Sequence, residues 1–212
     1  MTALDKARQT MLDRHLRGRG ISNRRVLAAM AEVPREEFVR PDQIHHAYAD
    51  SPLPSAEGQT ISQPFIVALM MSALHPEPHH TALDIGAGTG YAAAVLSRLT
   101  RQVYAIEYHA SLTAAAEQRC RRLGYDNIEF RTGDGSLGWP DQAPFDSIHV
   151  AACAPSVPAA LIDQLAADGR LLLPLGTASM PQKLVRLTRA GDALRRDELE
   201  HVRFVPLIED ST

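Results

Sequence analysis

The sequence predicts an open α/β fold: a mostly parallel sheet of about seven strands with an antiparallel end, preceded by an N-terminal helical cap. Apolar stretches of strand length at 81–85, 102–107, 128–132 and 145–151 frame helical stretches at 91–99 and 111–123, as repeated βαβ units require. A run made almost wholly of glycine, Gly86-Ala87-Gly88-Thr89-Gly90, joins the first of these strands to the first of these helices. After a helix from Pro158 come strands at 170–174, 183–189 and about 201–207. The last two are joined through Ala190-Gly191-Asp192 without a helix, so that end of the sheet turns antiparallel.

The cap comes first in the chain. Leu4, Ala7, Met11, Leu12 and Leu16 recur at helical spacing until Gly18 and Gly20 break the pattern. Ser22 is placed to cap a second helix, whose apolar stripe is Val26, Leu27, Met30 and Val33 and whose end is set by Pro34. Residues 1–40 hold nine Lys/Arg against five Asp/Glu, a local excess that reads as a solvated face. Residues 1–75 are therefore taken as cap and substrate loop, and 76–212 as the nucleotide-binding domain.

Within the cap, 47–64 is a polar loop rich in turn formers that runs into an apolar helix from Phe65 to Leu74. Pro64 suits the first helical position, because the N–H it lacks would have gone unpaired there. Thr60, Ser62 and Gln63 then cluster at a helix N-terminus, where hydroxyls, free amides and the positive end of the dipole favour a carboxylate. Ser62 or Gln63 acting simply as the helix cap is the competing reading of the same residues.

The glycine run is a nucleotide-binding turn. Glycines at 86, 88 and 90 let the backbone pass close under a ligand, and the helix that follows turns free N–H groups toward it. A dinucleotide fingerprint would need glycine at 91, where Tyr91 stands, which disfavours an NAD-dependent dehydrogenase. Asp84, on the strand before the turn, is placed to reach the methionine ammonium of S-adenosylmethionine, directly or through water. Glu107, closing the next strand, can accept from both ribose hydroxyls. Gly133-Asp134-Gly135 follows the third strand, where a carboxylate can take the adenine amino group.

Composition bounds the rest. A formal charge of -3 offers no general field for nucleic acid or an anionic membrane. The apolar runs are too short to span a bilayer and residues 1–6 lack a signal peptide's apolar core, so a cytoplasmic protein is expected. Cys120 and Cys153 lack C-x-x-C spacing and read as reduced, buried thiols. His75-Pro76-Glu77-Pro78-His79-His80 is a linker rather than a metal site, as is His45-His46, and no metal is expected.

With these residues assembled, the chain resembles the protein-L-isoaspartate (D-aspartate) O-methyltransferases over nearly its whole length. G-Q-T-I-S-Q-P at 58–64 is similar to that family's hallmark loop and L-D-I-G-A-G-T-G-Y at 83–91 to its cofactor motif. G-D-G-S-L-G-W-P at 133–140, A-P-F-D at 143–146 and R-F-V-P-L at 203–207 match in order and spacing. The resemblance implies a Rossmann-like, S-adenosylmethionine-dependent methyltransferase sheet. It makes Ser62 the active-site residue, puts Gly86, Gly88, Glu107, Asp134 and Gly135 in the cofactor pocket, and assigns Thr60, Ile61 and Val205-Pro206-Leu207 to the substrate. The implied reaction methylates the free α-carboxylate of L-isoaspartyl residues in damaged proteins and peptides, and the ester closes to a succinimide that starts repair. These proteins and peptides are the expected partners, without nucleic acid or membrane, and the chain is expected to act as a monomer. Ser55-Ala56 stands where the family has Ile-Gly and Cys153 where it has a small residue, departures that bear on substrate preference. A carboxyl methyltransferase of the same fold with one dedicated peptide, and a silent cofactor-binding protein, are the alternatives.

Overall fold

A computed structural model of the chain describes residues 2–210. Helix α1 (Ala3–Thr10) opens with a capping box in which Thr2 and Asp5 bond each other's backbone. It continues through a π turn (Met11–Leu16) and a 3-10 turn (Arg17–Arg19), and ends at Gly20 in the left-handed region, close to the expected break. Helix α2 (Arg24–Glu32) is capped by Asn23, not by Ser22. The Asn23 side chain reaches the amides of Arg25 and Val26, a bond that a side chain one residue earlier is too distant to make.

The polar loop is more ordered than its composition suggests. Strands β1 (Leu53–Pro54) and β2 (Thr60–Ile61) pair antiparallel, with a turn in which Glu57 and Gly58 both have positive φ. Helix α3 (Pro64–Leu74) then starts at Pro64 as expected.

The main sheet follows the predicted alternation: β3 (Thr81–Ile85), α4 (Tyr91–Ser97), β4 (Gln102–Glu107), α5 (Ala110–Arg122), β5 (Ile128–Thr132), β6 (Phe145–Val150), α6 (Ala159–Asp163), β7 (Leu165–Leu175), β8 (Gln182–Ala190) and β9 (Ala193–Val202). Among the described residues it has seven strands in the order β5-β4-β3-β6-β7-β8-β9. Strands β3 to β7 run parallel and β8 and β9 antiparallel, as the missing helix required.

The last strand begins earlier than expected. The apolar run Phe204 to Ile208 predicts a strand at about 201–207, but the ladder partner of β8 is the charged stretch 193–202, of which only Val202 is buried. An edge strand with a solvated face needs no apolar alternation, so its sequence carries no strand signal. Residues 205–207 instead cross the end of the sheet, anchored where Cys153 N–H meets the Val205 carbonyl and Leu207 N–H meets the Cys153 carbonyl, both at 2.8 Å. Pro206 between them has no amide to add to a ladder.

Alternation along the strands divides the core. Leu83, Ile85, Ile106, Ile148 and Val150 pack on one face with Leu161 of α6. Ala82, Val103 and Ala105 face the other way into a cluster shared with Leu16, Val26, Met30, Val67, Met71 and Val95, so cap and sheet are held by one continuous core. Each large apolar side chain buried there contributes about 1.5–3 kcal/mol.

Gly90 lies inside that packing. It caps α4 with φ 85°, and a Cβ on it would sit 3.2 Å from both Ala116 Cβ and Cys120 Sγ of α5. Gly124 has a similar φ of 77° with nothing within 4 Å of the same position. Gly90→Ala is expected to lower stability by about 2–4 kcal/mol, strain and overpacking together, and Gly124→Ala by only about 1–2 kcal/mol from strain. Thermal melts of the two variants separate the terms.

Candidate active site

The order β5-β4-β3-β6 makes the chain leave β3 in one direction and return to β6 on the other side, and a crevice opens at the carboxyl ends of these strands. A cavity of about 450 Å³ fills it. One wall is the glycine turn with Ile106 to His109 at the end of β4. The opposite wall is Gln59 to Gln63 with Ile66, Val67 and Met70 of α3, and Phe204 to Ile208 close the remaining side.

The turn is shaped by bonds that use up most of its amides. Gly86 and Ala87 N–H both donate to the Ile106 carbonyl, at 2.9 and 3.1 Å, and Gly90 N–H to Ala87. Gly88 N–H donates to Glu107 Oε2 at 2.8 Å, and His109 N–H reaches Oε1 at 3.0 Å. The amides of Gly86, Ala87, Gly88 and Gly90 therefore hold protein groups, and the donors expected to face a ligand are those of the first turn of α4. Glu107 is buried yet lines the cavity, with a lone pair left on each oxygen.

The sequence-selected residues divide clearly. Thr60, Ile61, Ser62, Gly86, Gly88, Glu107, Gly135, Val205, Pro206 and Leu207 all line this cavity. Asp134 lies beside it, on a smaller cavity that shares Ile106 and Gly133. Burial works against its charge, but the Ser136 side chain and the amides of Asp210 and Ser136 hold its carboxyl below the usual range. Gly135 is required by crowding, since a Cβ there would lie 2.3 Å from Ile85 Cγ2. Gly90 faces α5, and Asp84 is fully buried behind the wall.

At the start of α3, Gln63 holds the cap position without a capping bond and turns its amide to the Asp50 carbonyl. The Ser62 hydroxyl makes no hydrogen bond among the described residues. Its carbonyl accepts from Arg35 Nη2 at 2.8 Å, while Arg35 Nε donates to Ala47 O at 2.7 Å. Arg35 is fully buried against the Tyr91 ring, 4.7 Å from its centroid, and desolvation lowers its pKa from the ordinary value. It belongs to the basic excess read as solvated; nothing in Pro-Arg-Glu-Glu marks one arginine as interior.

Tyr108, His109 and His149 also line the cavity without having been selected. The first two follow Glu107 directly, at a strand end where cavity residues were to be sought. His149 had a fainter signal, an ionisable residue in the apolar strand Phe145–Val150. Cys120 and Cys153 are buried and free, and burial pushes the Cys120 thiol up to about 12. Among the described residues no group of three or more His, Cys, Asp or Glu could hold a metal, and no helix is long and apolar enough to cross a membrane.

Residues 6–212 match the family described as Protein-L-isoaspartate(D-aspartate) O-methyltransferase (PCMT). The chain belongs to this family. It is 54% identical to a protein-L-isoaspartate O-methyltransferase of Roseiflexus castenholzii, over 95% of this chain and 91% of that protein. It is 52% identical to one of Koribacter versatilis, over 97% and 91%. A solved protein-L-isoaspartate O-methyltransferase superposes with TM-score 0.83 and 31% identity, over 94% of this chain and 65% of that one. A Plasmodium falciparum chain named for the same activity and solved with S-adenosyl-L-homocysteine gives TM-score 0.81 at 26% identity, over 95% and 98%. The family match and these superpositions cover the sheet, the cavity and the 58–64 loop of this chain.

The Arg35 tether has a measurable consequence. Arg35→Met keeps the bulk but leaves two carbonyls without their donor, and is expected to destabilise the chain by about 2–4 kcal/mol. Limited proteolysis should show faster cleavage within 47–63 than in the parent; equal cleavage would mean that the loop is held without the arginine.

Proposed function

We propose that this chain transfers a methyl group from S-adenosylmethionine to the free α-carboxylate of an L-isoaspartyl residue in damaged proteins and peptides. Family membership and the relatives' names support the activity. The single observation that carries it at the site is the opposition of two walls in one cavity: Glu107 and the glycine turn on one, the unpartnered Ser62 hydroxyl at the head of α3 on the other.

The cavity suits the cofactor. A Cβ on Gly88 would meet only the Gly86 carbonyl, at 3.8 Å, so the space beside it is free for a ligand, and Glu107 is already held by two amides. When bound, S-adenosylmethionine supplies an electrophilic methyl group on a sulfonium. In this reading Glu107 accepts from the ribose hydroxyls, Asp134 and Gly135 border the adenine, and Gly86, Gly88 and Gly90 shape the turn.

Ser62 orients the substrate. Its hydroxyl donates to the carboxylate, which the first-turn amides and the positive end of the α3 dipole also favour. A carboxylate is ionised at neutral pH, so the nucleophile needs no general base. Holding it in line contributes several kcal/mol through orientation alone. Thr60, Ile61 and Val205-Pro206-Leu207 hold the peptide and keep water out. Residues 1–75 act as cap and substrate loop and 76–212 as the cofactor domain, in a monomer working on protein and peptide in the cytoplasm.

The decisive assay is transfer of labelled methyl to an L-isoaspartyl peptide, with the aspartyl peptide as control. Base-labile label on the first alone is the expected result, and label on neither would refute the reading. Ser62→Ala should lower kcat by about ten- to a hundredfold while calorimetric affinity for S-adenosylhomocysteine stays within about twofold. Glu107→Ala should weaken that affinity by about tenfold or more.

A further inference from the structure

Asp84 occupies an unusual place for a residue of the cofactor motif. It is fully buried and does not line the cavity; His149, on the neighbouring strand, does. The two are register partners on β3 and β6, and Asp84 Oδ1 lies 2.6 Å from His149 Nδ1. A carboxylate only accepts, so Nδ1 carries the proton, and Nε2, on the far edge of the ring, is the nitrogen left for the cavity side.

The pair is electrostatically incomplete. Among the described residues Asp84 has no lysine or arginine partner, and its Oδ2 is buried with no hydrogen bond. A buried carboxylate without a cation is costly to maintain, so the site is set up to receive positive charge.

The sheet order says which charge. With the adenine at the end of β5 and the ribose at Glu107 on β4, the next strand ends in line are β3 and β6, each step about 4.8 Å. A ligand laid along that row brings its amino-acid end to Asp84 and His149. That orientation rests on the cofactor reading above.

We propose that His149 Nε2, with its ring fixed by Asp84, is the acceptor for the α-ammonium of the cofactor's methionine moiety. The ring carries the hydrogen bond at Nε2, and the Asp84 charge behind it balances the ammonium, so the carboxylate acts on a group it does not touch. His149 is thereby a binding residue and Asp84 its positioning residue.

The test compares two ligands that differ at this end. S-adenosylhomocysteine has the amino-acid group and 5′-deoxy-5′-methylthioadenosine lacks it, and both are titrated by calorimetry. His149→Asn keeps a donor near the Nδ1 position and removes Nε2. It should weaken S-adenosylhomocysteine by about tenfold or more and methylthioadenosine by less than about twofold. His149→Gln, whose amide reaches the lost position, should restore most of the difference. Asp84→Asn should show the same selective loss, and it carries the comparison if His149→Asn does not fold. Equal weakening of both ligands, or no change for S-adenosylhomocysteine, would overturn the proposal and leave the pair as packing. A parent protein that binds neither ligand would instead overturn the cofactor reading.

Discussion

The carboxylate of Glu107 is the constraint on which the site depends. By accepting from Gly88 and His109 it ties the glycine turn after β3 to the chain leaving β4. The Ile106 carbonyl makes the same connection through Gly86 and Ala87. Hydrogen bonds to a charged acceptor are stronger than neutral ones, and their worth rises in a partly dehydrated wall. The turn is therefore tied down before any ligand arrives, and its glycines donate to the protein's own carbonyls and carboxylate.

The second wall is held by a different device. Arg35 spends its charge on two carbonyls, of Ala47 and Ser62, and lies against the face of Tyr91. A carboxylate counter-ion there would have been a stronger partner for the arginine but would have fixed no backbone. The tether reaches from the cap to the head of α3, and Tyr91 is the first residue of α4. One buried side chain thus sets the distance between the two walls.

Most of the fold was legible because strand and helix periodicities in 81–132 are clean and the turn between 85 and 91 is unmistakable. Structure that does not depend on apolar pattern was not legible. Strand β9 is stabilised by its ladder with β8 and offers only charged residues to solvent. The α2 cap shifted from Ser22 to Asn23 because both are good capping residues and only geometry chooses between them. At the site, Asp84 and the residues of the glycine and hydroxyl motifs were legible, and His149, placed only by register, was not. Asp84 and His149 are 65 positions apart and meet only because β3 and β6 are neighbours in the sheet.

The cavity wall is drawn from residues far apart in sequence, from Pro52 in the cap to Ile208 beyond the last strand. A nascent chain still on the ribosome can form the glycine turn and its strands early, since those contacts are local. The strap at 205–207, which closes the site against Cys153, joins residues 52 positions apart (Val205 to Cys153) and so forms later. Closure of the pocket therefore follows formation of the core: a chain that has folded most of its sheet without seating the strap keeps the glycine turn and still leaves one side of the cavity open.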